Sequence, residues 1–410
     1  MKLLFFSLCV FPLSVSLSAK DNNQKASKEN VIKISTINSE KNPLDRGKAF
    51  QYEDVKIVPL ETNQECLLTF LVEIFLTDEY IFVADPDSKE IGNDLYVFER
   101  ATGKFLHKIG ERGGGPAEYV AFNNFFYDKN KKTITLIDFH QNVFLTYGYD
   151  GKFKERKKYS PELMENVENM IILNDQKVFM KYFINKKEND AYVLFDKNRT
   201  MVFAKKSYNP IQTLSLSAGY GESIVKVNDD RVNFIMPLCD TIFSCYKGKF
   251  MPMYVVGHQA KNIPREKFII GEGESFFQKS IGYLQKGYFT GFTNYKETND
   301  YILLSGLSGN CLINKQKTKG VYFSNEATNE SRLVKSVQDI PFKASLKGIM
   351  GCDNDYFVGV ADPIVLLNLK ISPDTKDPVV QKLKEVVNNL QEDDNPVLIF
   401  YKLKDHFDEK

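Results

Sequence analysis

A short tripeptide recurs along the chain at a nearly constant interval. Gly-Lys-Phe occurs at residues 103–105, 151–153 and 248–250, and the variant Thr-Met-Val-Phe occupies residues 200–203. Successive steps are 48, 49 and 48 residues. A period of roughly 50 residues, in which each unit holds several short strand-like runs, is typical of propeller blades. The sequence therefore predicts an all-β fold, a β-propeller in which the tripeptide marks the turn into the outermost strand of a blade.

Counting along the chain by this period indicates how many blades there are and how the ring closes. One period before Gly103 lies a strand-like run that no complete blade precedes, and residues 395–403 supply a matching strand. We expect the N- and C-terminal strands to pair, which removes exposed sheet edges. The interval between repeats is longer where residues 264–284 and 374–390 are inserted. In the second of these segments apolar residues recur at helical spacing. Residues 52–404 thus predict a six-bladed β-propeller of four-stranded blades with two inserted segments, one of them helical.

The N-terminus has the pattern of an export signal. Residues 1–19 carry one Lys, then an apolar run and small residues, which predicts a cleaved signal peptide. The apolar run is shorter than the ~20 residues that span a bilayer, so we expect an exported protein, periplasmic or at the cell surface, with no transmembrane segment in the mature chain. Acylation at Cys9 is the less favoured alternative because the large Leu8 precedes it. Residues 20–51 are interpreted as a flexible polar lead, and residues 405–410 as a tail.

Composition narrows the expected partners. The formal net charge is +1 with acids and bases interspersed, which argues against nucleic acid. Trp is absent, so the usual stacking platform for sugars is missing. We expect a monomer whose partner is a cell-envelope protein or a small ligand. Cys239 and Cys245 lie in neighbouring strand-like segments and either pair or remain small core residues.

A Gly-rich segment at 110–119 lies between two predicted strands. It lacks the Lys-Ser or Lys-Thr and the following helix of a phosphate-binding loop. The sequence favours a sharp crossing between two blades over an anion-binding loop, with the glycines allowing positive φ or close backbone approach.

Four segments carry a resemblance to a known family: Pro-Leu-Glu-Thr at 59–62, Ile-Gly-x-x-Gly-Gly-Gly-Pro-Ala-Glu-Tyr at 109–119, Asp-Thr-Ile-Phe at 240–243 and the run at 395–403. They resemble six-bladed β-propeller proteins of unknown function that gut Bacteroidetes export, which are similar in architecture to NHL-repeat propellers. The resemblance extends over residues 50–404, implies a cell-envelope location, and assigns no catalytic residue. Ala117 stands where the family has Gly, and a positive φ there would be costly for Ala.

The candidate binding face is one mouth of the predicted channel. In a propeller, the loops that leave the second and the fourth strand of each blade emerge on the same face. Seven polar residues fall in such loops: Asp85, Arg112, Glu118, Asp138, His140, Asp240 and Asp362. Carboxylates and an imidazole from several blades are suitable ligands for Ca²⁺ or a transition metal. The sequence nevertheless favours a turn device, because Asp at the start of a turn commonly caps backbone N–H groups.

These residues support two hypotheses about function. The leading one is a ligand-binding or protein-interaction scaffold that uses this face in the cell envelope. The alternative is a metal-dependent lyase or hydrolase, similar to a lactonase, with its site at the same channel mouth. Among the four His only His140 is well placed for such a site, and no Gly-x-Ser-x-Gly nucleophile elbow occurs. The sequence assigns no catalytic residue and no metal ligand, and it leaves Ca²⁺ open as a cofactor.

Overall fold

The computed structural model describes residues 31–37, 50–86, 93–161, 167–174, 177–182, 190–196, 201–206, 224–228, 230–236, 238–247, 249–264, 268, 275–323, 333–340 and 349–404. The described residues are mostly β-strand, so the predicted all-β class is confirmed. The predicted signal peptide and the tail at 405–410 lie outside the described residues.

Most strands belong to six arrays, each a meander of four antiparallel strands. Array 1 contains β3 (Glu73–Leu76), β4 (Tyr80–Pro86), β5 (Asn93–Glu99) and β6 (Phe105–Lys108). Array 2 contains β9 (Phe122–Asp128), β10 (Thr133–Asp138), β11 (Val143–Gly148) and β12 (Phe153–Lys158). Array 3 contains β13 (Val167–Asn174), β14 (Lys177–Tyr182), β15 (Asp190–Asp196) and β16 (Met201–Lys206).

The other three arrays follow in chain order, and the last takes its fourth strand from the N-terminal part of the chain. Array 4 contains β17 (Ile224–Asn228), β18 (Arg231–Ile235), β19 (Thr241–Tyr246) and β20 (Lys249–Val256). Two short strands, β21 (Lys261–Asn262) and β22 (Tyr288–Phe289), pair in parallel in the connection that follows array 4. Array 5 contains β23 (Asn294–Glu297), β24 (Tyr301–Gly306), β25 (Gly309–Asn314) and β26 (Lys319–Phe323). Array 6 contains β27 (Ile349–Cys352), β28 (Phe357–Ala361), β29 (Val397–Leu403) and β2 (Tyr52–Pro59).

The arrays follow one another in space as they do in sequence. First strands contact each other in the pairs β9–β13, β13–β17, β17–β23, β23–β27 and β27–β3, and β5 contacts β9. The expected pairing of the chain ends is present, since β2 and β29 are antiparallel with Ile57 opposite Ile399. Array 6 therefore joins residues from both ends of the chain and neighbours array 1.

At 103–105 and 151–153, the two copies that the structure describes in full, the recurring tripeptide forms the turn between the third and fourth strands. Gly103 and Gly151 have φ of 77° and 76°, a region that favours glycine. A Cβ at Gly103 would lie 2.0 Å from the carbonyl oxygen of Pro59. Phe105 and Phe153 then begin the fourth strands of arrays 1 and 2. The period in the sequence thus reflects a repeated turn.

Three described helices lie in the connections between strands: α1 (Phe276–Gln285), α2 (Pro363–Leu367) and α3 (Pro378–Asn389). The helix expected at 374–390 is α3. It begins after Asp377, and the Asp377 carboxylate caps it by accepting the N–H of Val379 at 2.9 Å. Its apolar residues Val380 and Leu383 are fully buried beside array 6, and each such burial contributes about 1.5–3 kcal/mol. Their burial explains why the helical periodicity was visible in the sequence.

One prediction about the N-terminal region is wrong. Within the expected flexible lead at 20–51, β1 (Ile32–Thr36) runs parallel to both β20 and β26 and joins arrays 4 and 5 into a nine-stranded sheet. The Ile34 side chain is 2% exposed. The segment was predicted to be flexible because its composition is polar, and only one side chain of β1 enters the core. The strand is held by pairing with β20 and β26, which lie more than 200 residues away in the sequence.

Two further expectations concern membranes and disulfides. None of the described helices is long and apolar enough to cross a membrane. Cys239 and Cys245 are both buried and form no disulfide with each other, so they are small core residues rather than a pair.

Candidate functional site

The connections between strands fall at two edges of each array. Because neighbouring strands are antiparallel, the connections that leave second and fourth strands emerge at one edge, which we call the helix edge since α1, α2 and α3 lie there. The short turns between first and second strands and between third and fourth strands form the opposite edge, the turn edge. All seven candidate residues belong to the helix edge, within or next to its connections.

Two of the candidate aspartates cap the chain that enters their own array. Asp85, at the end of β4, accepts the N–H groups of Thr69 and Phe70, each at 2.7 Å. Asp138, at the end of β10, accepts the N–H of Val120 at 2.7 Å. Both carboxylates are buried and accept backbone N–H groups. Asp138 also caps the turn that follows it, as the turn-device interpretation expects, whereas Asp85 caps residues 15 and 16 positions before it.

Two other polar residues, which the sequence analysis did not identify, hydrogen-bond to the backbone of connections at the helix edge as Asp85 and Asp138 do. Ser308, in the tight turn after β24, accepts the N–H of Thr290 at 3.1 Å and lies 2.9 Å from its hydroxyl. Asn395, 1% exposed before β29, donates to the carbonyls of Glu61 and Cys66 at 2.6 and 2.8 Å. Neither is an acid, so a search for carboxylates could not find them.

Arg112 belongs to a buried ionic cluster at array 1. Its Nε and the Nζ of Lys108 each lie 2.9 Å from a different carboxylate oxygen of Asp94, which also accepts the Tyr119 hydroxyl at 2.8 Å. Burial alone would raise the pKa of Asp94, but the hydrogen bonds from Lys108 and Tyr119 and the nearby charges hold this pKa below its usual value. Asp94 lies opposite Asp85 in the β4–β5 register, yet the sequence analysis singled out only Asp85.

The carboxylate of Glu118, a residue of the Gly-rich crossing, hydrogen-bonds to the backbone of the same crossing. Two short strands in it, β7 (Glu111–Arg112) and β8 (Glu118–Tyr119), pair in parallel. Glu118 Oε2 accepts the N–H of Gly115 at 2.8 Å, and a Cβ at Gly113 would lie 2.1 Å from the same oxygen. The Tyr147 hydroxyl donates to the Ala117 carbonyl at 2.8 Å, and Ala117 is not among the residues with positive φ. The segment connects array 1 to array 2 between β6 and β9, as the expected crossing would, and it packs against array 2.

Asp240 pairs with a histidine that the sequence analysis had set aside. His258 Nε2 lies 3.5 Å from Asp240 Oδ2, and the His258 ring stacks on Phe289 at a centroid distance of 4.2 Å. Thr241 donates its hydroxyl to Asp240 Oδ1 at 2.7 Å. Burial acts to raise the pKa of Asp240, but the His258 contact and the Thr241 hydrogen bond leave it lowered.

The remaining two candidates do not join the others. The His140 side chain is exposed, and its backbone N–H donates to Asp138 at 2.9 Å. Asp362 precedes α2 and is partly exposed; its carboxylate does not cap that helix, whereas its carbonyl accepts the N–H of Val365 at 3.0 Å. Within the described ranges, no three His, Cys, Asp or Glu side chains are grouped so that they could hold a metal ion.

Apolar side chains are exposed along the helix edge. Seven large ones lie there: Leu67, Phe70, Val120, Phe277, Leu333, Ile364 and Leu367. The other exposed large apolar side chains lie on strands or beside β1: Ile32, Ile37, Leu106, Phe153, Val227 and Met251. In the part of the chain that the structure describes, no turn at the turn edge carries one. Two of the others, Val227 and Phe153, lie on strands next to turns of the turn edge, so exposed large apolar side chains are more numerous at the helix edge but not confined to it.

A cleft of about 510 Å³ also opens on the helix edge. Its walls come from the segment after β2 and from α3: Pro59, Leu60, Thr62, Lys382, Glu385, Val386, Asn389, Leu390 and Asp394. The lining thus combines apolar carbons with one cation and two carboxylates.

The chain was compared with known protein families. Residues 29–402 match the model of a domain of unknown function, DUF4934. The chain belongs to this family. The match covers all six arrays of the DUF4934 domain together with β1. No curated protein matches the chain.

Two similar solved structures come from Bacteroides species. A protein of Bacteroides fragilis NCTC 9343 that is described as exported has 20% sequence identity and a TM-score of 0.65, over 92% of this chain and 100% of the other. A member of the DUF4221 family from Bacteroides vulgatus ATCC 8482 has 10% identity and a TM-score of 0.46, over 87% and 97%. The first of these likenesses shows the fold of the DUF4934 domain.

Proposed function

We propose that this protein is an exported six-bladed β-propeller that binds a protein partner in the cell envelope through its helix edge. The proposal of six blades is supported by the six four-stranded arrays, by their contacts in chain order and by the pairing of β2 with β29. If the arrays are blades, the helix edges of all six face the same side of the ring. Residues 1–19 and the exported relative from Bacteroides fragilis support the envelope location.

The apolar side chains of the helix edge are the observation that carries this proposal. They come from the connections into arrays 1, 2, 5 and 6 and from the α2 connection of array 6, so they are spread over several blades. Large exposed apolar side chains that share one face, with polar groups among them, support a site that binds proteins. Arg112, whose side chain is 21% exposed, places charged atoms beside Val120, since its Nη1 donates to the Val120 carbonyl at 3.4 Å. A broad surface of this composition suits a folded partner better than a single small molecule.

The candidate carboxylates have a supporting role in this proposal. Asp85 and Asp138 fix the backbone at Phe70 and Val120, two of the exposed apolar positions. A carboxylate that accepts two or more backbone N–H groups holds its loop in one conformation. The acids therefore preorganise the apolar surface, and preorganisation lowers the entropic cost of binding.

Serine variants of exposed apolar residues, at the helix edge or on outer strands, test the proposal. The triple variant Phe70→Ser, Val120→Ser, Ile364→Ser removes apolar surface from the helix edge, and Leu106→Ser with Phe153→Ser is the matched control on outer strands. Each protein is used to capture partners from envelope extract, and the partner is then purified and titrated. We expect at least a tenfold loss of affinity for the triple variant and little change for the control. Equal affinities would refute the proposal, provided that both variants unfold at the wild-type temperature.

The cleft beside α3 supports a second candidate function, the binding of a small molecule. Its volume of about 510 Å³ lies within the range of roughly 300–1,000 Å³ typical of ligand pockets. Asn389→Trp would fill the cleft from the exposed side of α3, whereas Asn368→Trp places the same group after α2. A small molecule that raises the unfolding temperature of the wild type and of Asn368→Trp, but not of Asn389→Trp, would support this function. A ligand that stabilises all three proteins equally would refute it.

A further inference from the structure

A groove between arrays 4 and 5 holds β1. The strand runs parallel to β20, with Ile34 opposite Val256, and its last residues run parallel to β26, with Thr36 opposite Gly320. Both β20 and β26 are the fourth strands of their arrays. Among the described strands, the fourth strands of arrays 1 and 2, β6 and β12, pair with a neighbour on one side only. β1 therefore completes two sheet edges at once.

Backbone atoms make most of the contacts in this groove. The N–H of Gly257 donates to the Ile34 carbonyl at 3.0 Å, and the N–H of Ile37 donates to the Gly320 carbonyl at 3.0 Å. The Thr36 hydroxyl donates to the Gly257 carbonyl at 3.1 Å. The backbone contacts depend on an extended chain rather than on particular side chains, whereas the Thr36 contact requires a hydroxyl.

Two glycines make room for the strand. A Cβ at Gly257 would lie 3.0 Å from the Ile34 carbonyl oxygen. A Cβ at Gly320 would lie 3.2 Å from Ile34 Cγ2 and 3.1 Å from Cys311 Sγ. The groove is thus shaped for a strand that carries a branched apolar residue at this one position.

Ile34 is the one side chain of β1 that is buried. It packs in the cluster that contains Tyr254 and Tyr322. Lys33 and Ser35 are exposed, and Ile32 is exposed to 36%. Residues 37–51 connect β1 to β2 in the sequence.

We propose that the groove between β20 and β26 is a β-strand-binding site, and that β1 of a second copy of this chain occupies it in exchange for the molecule's own β1. The exchanged strand makes the same backbone hydrogen bonds and buries the same Ile34 side chain, so exchange alters only the connectivity. This surface is separate from the helix edge and does not depend on the proposed partner. The exchange links two molecules through an element that precedes array 1 in sequence.

The first test uses full-length protein with a protease site inserted within residues 38–49. After folding and cleavage, β1 is held only by the groove, and a fluorescent peptide of residues 29–38 is added. We expect the peptide to replace the cut strand with one peptide bound per protein. An Ile34→Asp peptide should bind at least about tenfold more weakly because it loses the one buried side chain. A Lys33→Ala peptide is the matched control and should bind like the wild-type sequence.

Either of two results would overturn the strand-binding site: no binding of the wild-type peptide, or equal binding of the Ile34→Asp peptide. Because the side-chain changes are made in the peptide and every peptide is added to the same folded and cleaved protein, a difference between peptides cannot be attributed to a variant that fails to fold.

The second test addresses exchange between copies. Intact wild-type protein is refolded at high concentration and its mass is measured by light scattering during gel filtration. We expect a dimer fraction that an excess of the 29–38 peptide converts to monomer. A monomer alone, or a dimer that the peptide leaves unchanged, would refute the exchange.

Discussion

The carboxylate of Asp138 accepts the backbone N–H of Val120 at 2.7 Å, across 18 residues of sequence. The same carboxylate also accepts the N–H groups of His140 and Gln141, each at 2.9 Å. Asp138 is 0% exposed. One side chain therefore fixes both the chain entering array 2 and the turn that follows β10.

Asp138→Ala should destabilise the protein strongly. The substitution leaves three backbone N–H groups without their acceptor, and we expect a loss of about 2–4 kcal/mol in the free energy of unfolding, measured by urea denaturation. His140→Ala is the control, because its exposed side chain should contribute less than about 0.5 kcal/mol. If Asp138 and His140 instead held a metal ion, both variants would destabilise, and added Ca²⁺ or Zn²⁺ would raise the unfolding temperature of the wild type alone.

Asn395→Ala should weaken the closure between arrays 6 and 1. Asn395 accepts the N–H of Leu68 at 2.8 Å in addition to donating to Glu61 and Cys66, so its loss leaves buried backbone groups unsatisfied. We expect a cost of about 2–4 kcal/mol. Asn389→Ala, on the exposed face of α3, should cost less than about 0.5 kcal/mol. Similar costs for the two variants in denaturant titrations would contradict the assigned role.

Arg100 and Asp353 should connect arrays 1 and 6 more strongly than a surface ion pair does. The two side chains are 18% and 15% exposed, and Arg100 also donates to the Thr77 carbonyl at 2.7 Å. Arg100→Met should lower the free energy of unfolding by about 1–3 kcal/mol. Lys132→Met breaks the exposed pair with Glu79 and should change it by less than about 0.5 kcal/mol. A calorimetric comparison that ranks these two variants in the reverse order would contradict this prediction.

Acid should destabilise the protein partly through Asp94. Its pKa in the folded state is lower than the unfolded value near 3.8, so the folded state binds fewer protons in this range. The contribution of Asp94 is therefore complete above the unfolded pKa and disappears as the pH falls through the folded pKa. Lys108→Met removes the hydrogen-bonded cation and should make unfolding less dependent on pH below about 4. An unchanged dependence, in urea titrations from pH 7 to pH 3, would show that the Lys108 contact does not set this pKa.

Local signals explain what could be predicted from the sequence. Gly103 and Gly151 were visible because a positive φ restricts a single position, and α3 was visible because Val380 and Leu383 recur with helical spacing. The long-range partners left no such signal. β1 is short and pairs in parallel with strands more than 200 residues away, so nothing nearby in the sequence marks it.

The same distinction holds for the candidate site. The position of Asp85 and Asp138 at strand ends was predictable, because turn aspartates follow local rules. Asp94 and His258 depend on partners supplied by other connections, namely Arg112 and Asp240. The apolar character of the helix edge was also hidden, since exposure of Phe70 or Ile364 depends on which neighbours the fold provides.

The most direct test of the central claim is photo-crosslinking in cells of the source organism. A photoreactive amino acid replaces Phe70 on the helix edge, Phe153 on an outer strand, or Lys104 at the turn edge, in otherwise full-length protein. The account predicts a discrete crosslinked protein partner from position 70 and little or none from positions 153 and 104. Crosslinks from all three positions at equal yield, or from 153 or 104 alone, would contradict binding through the helix edge.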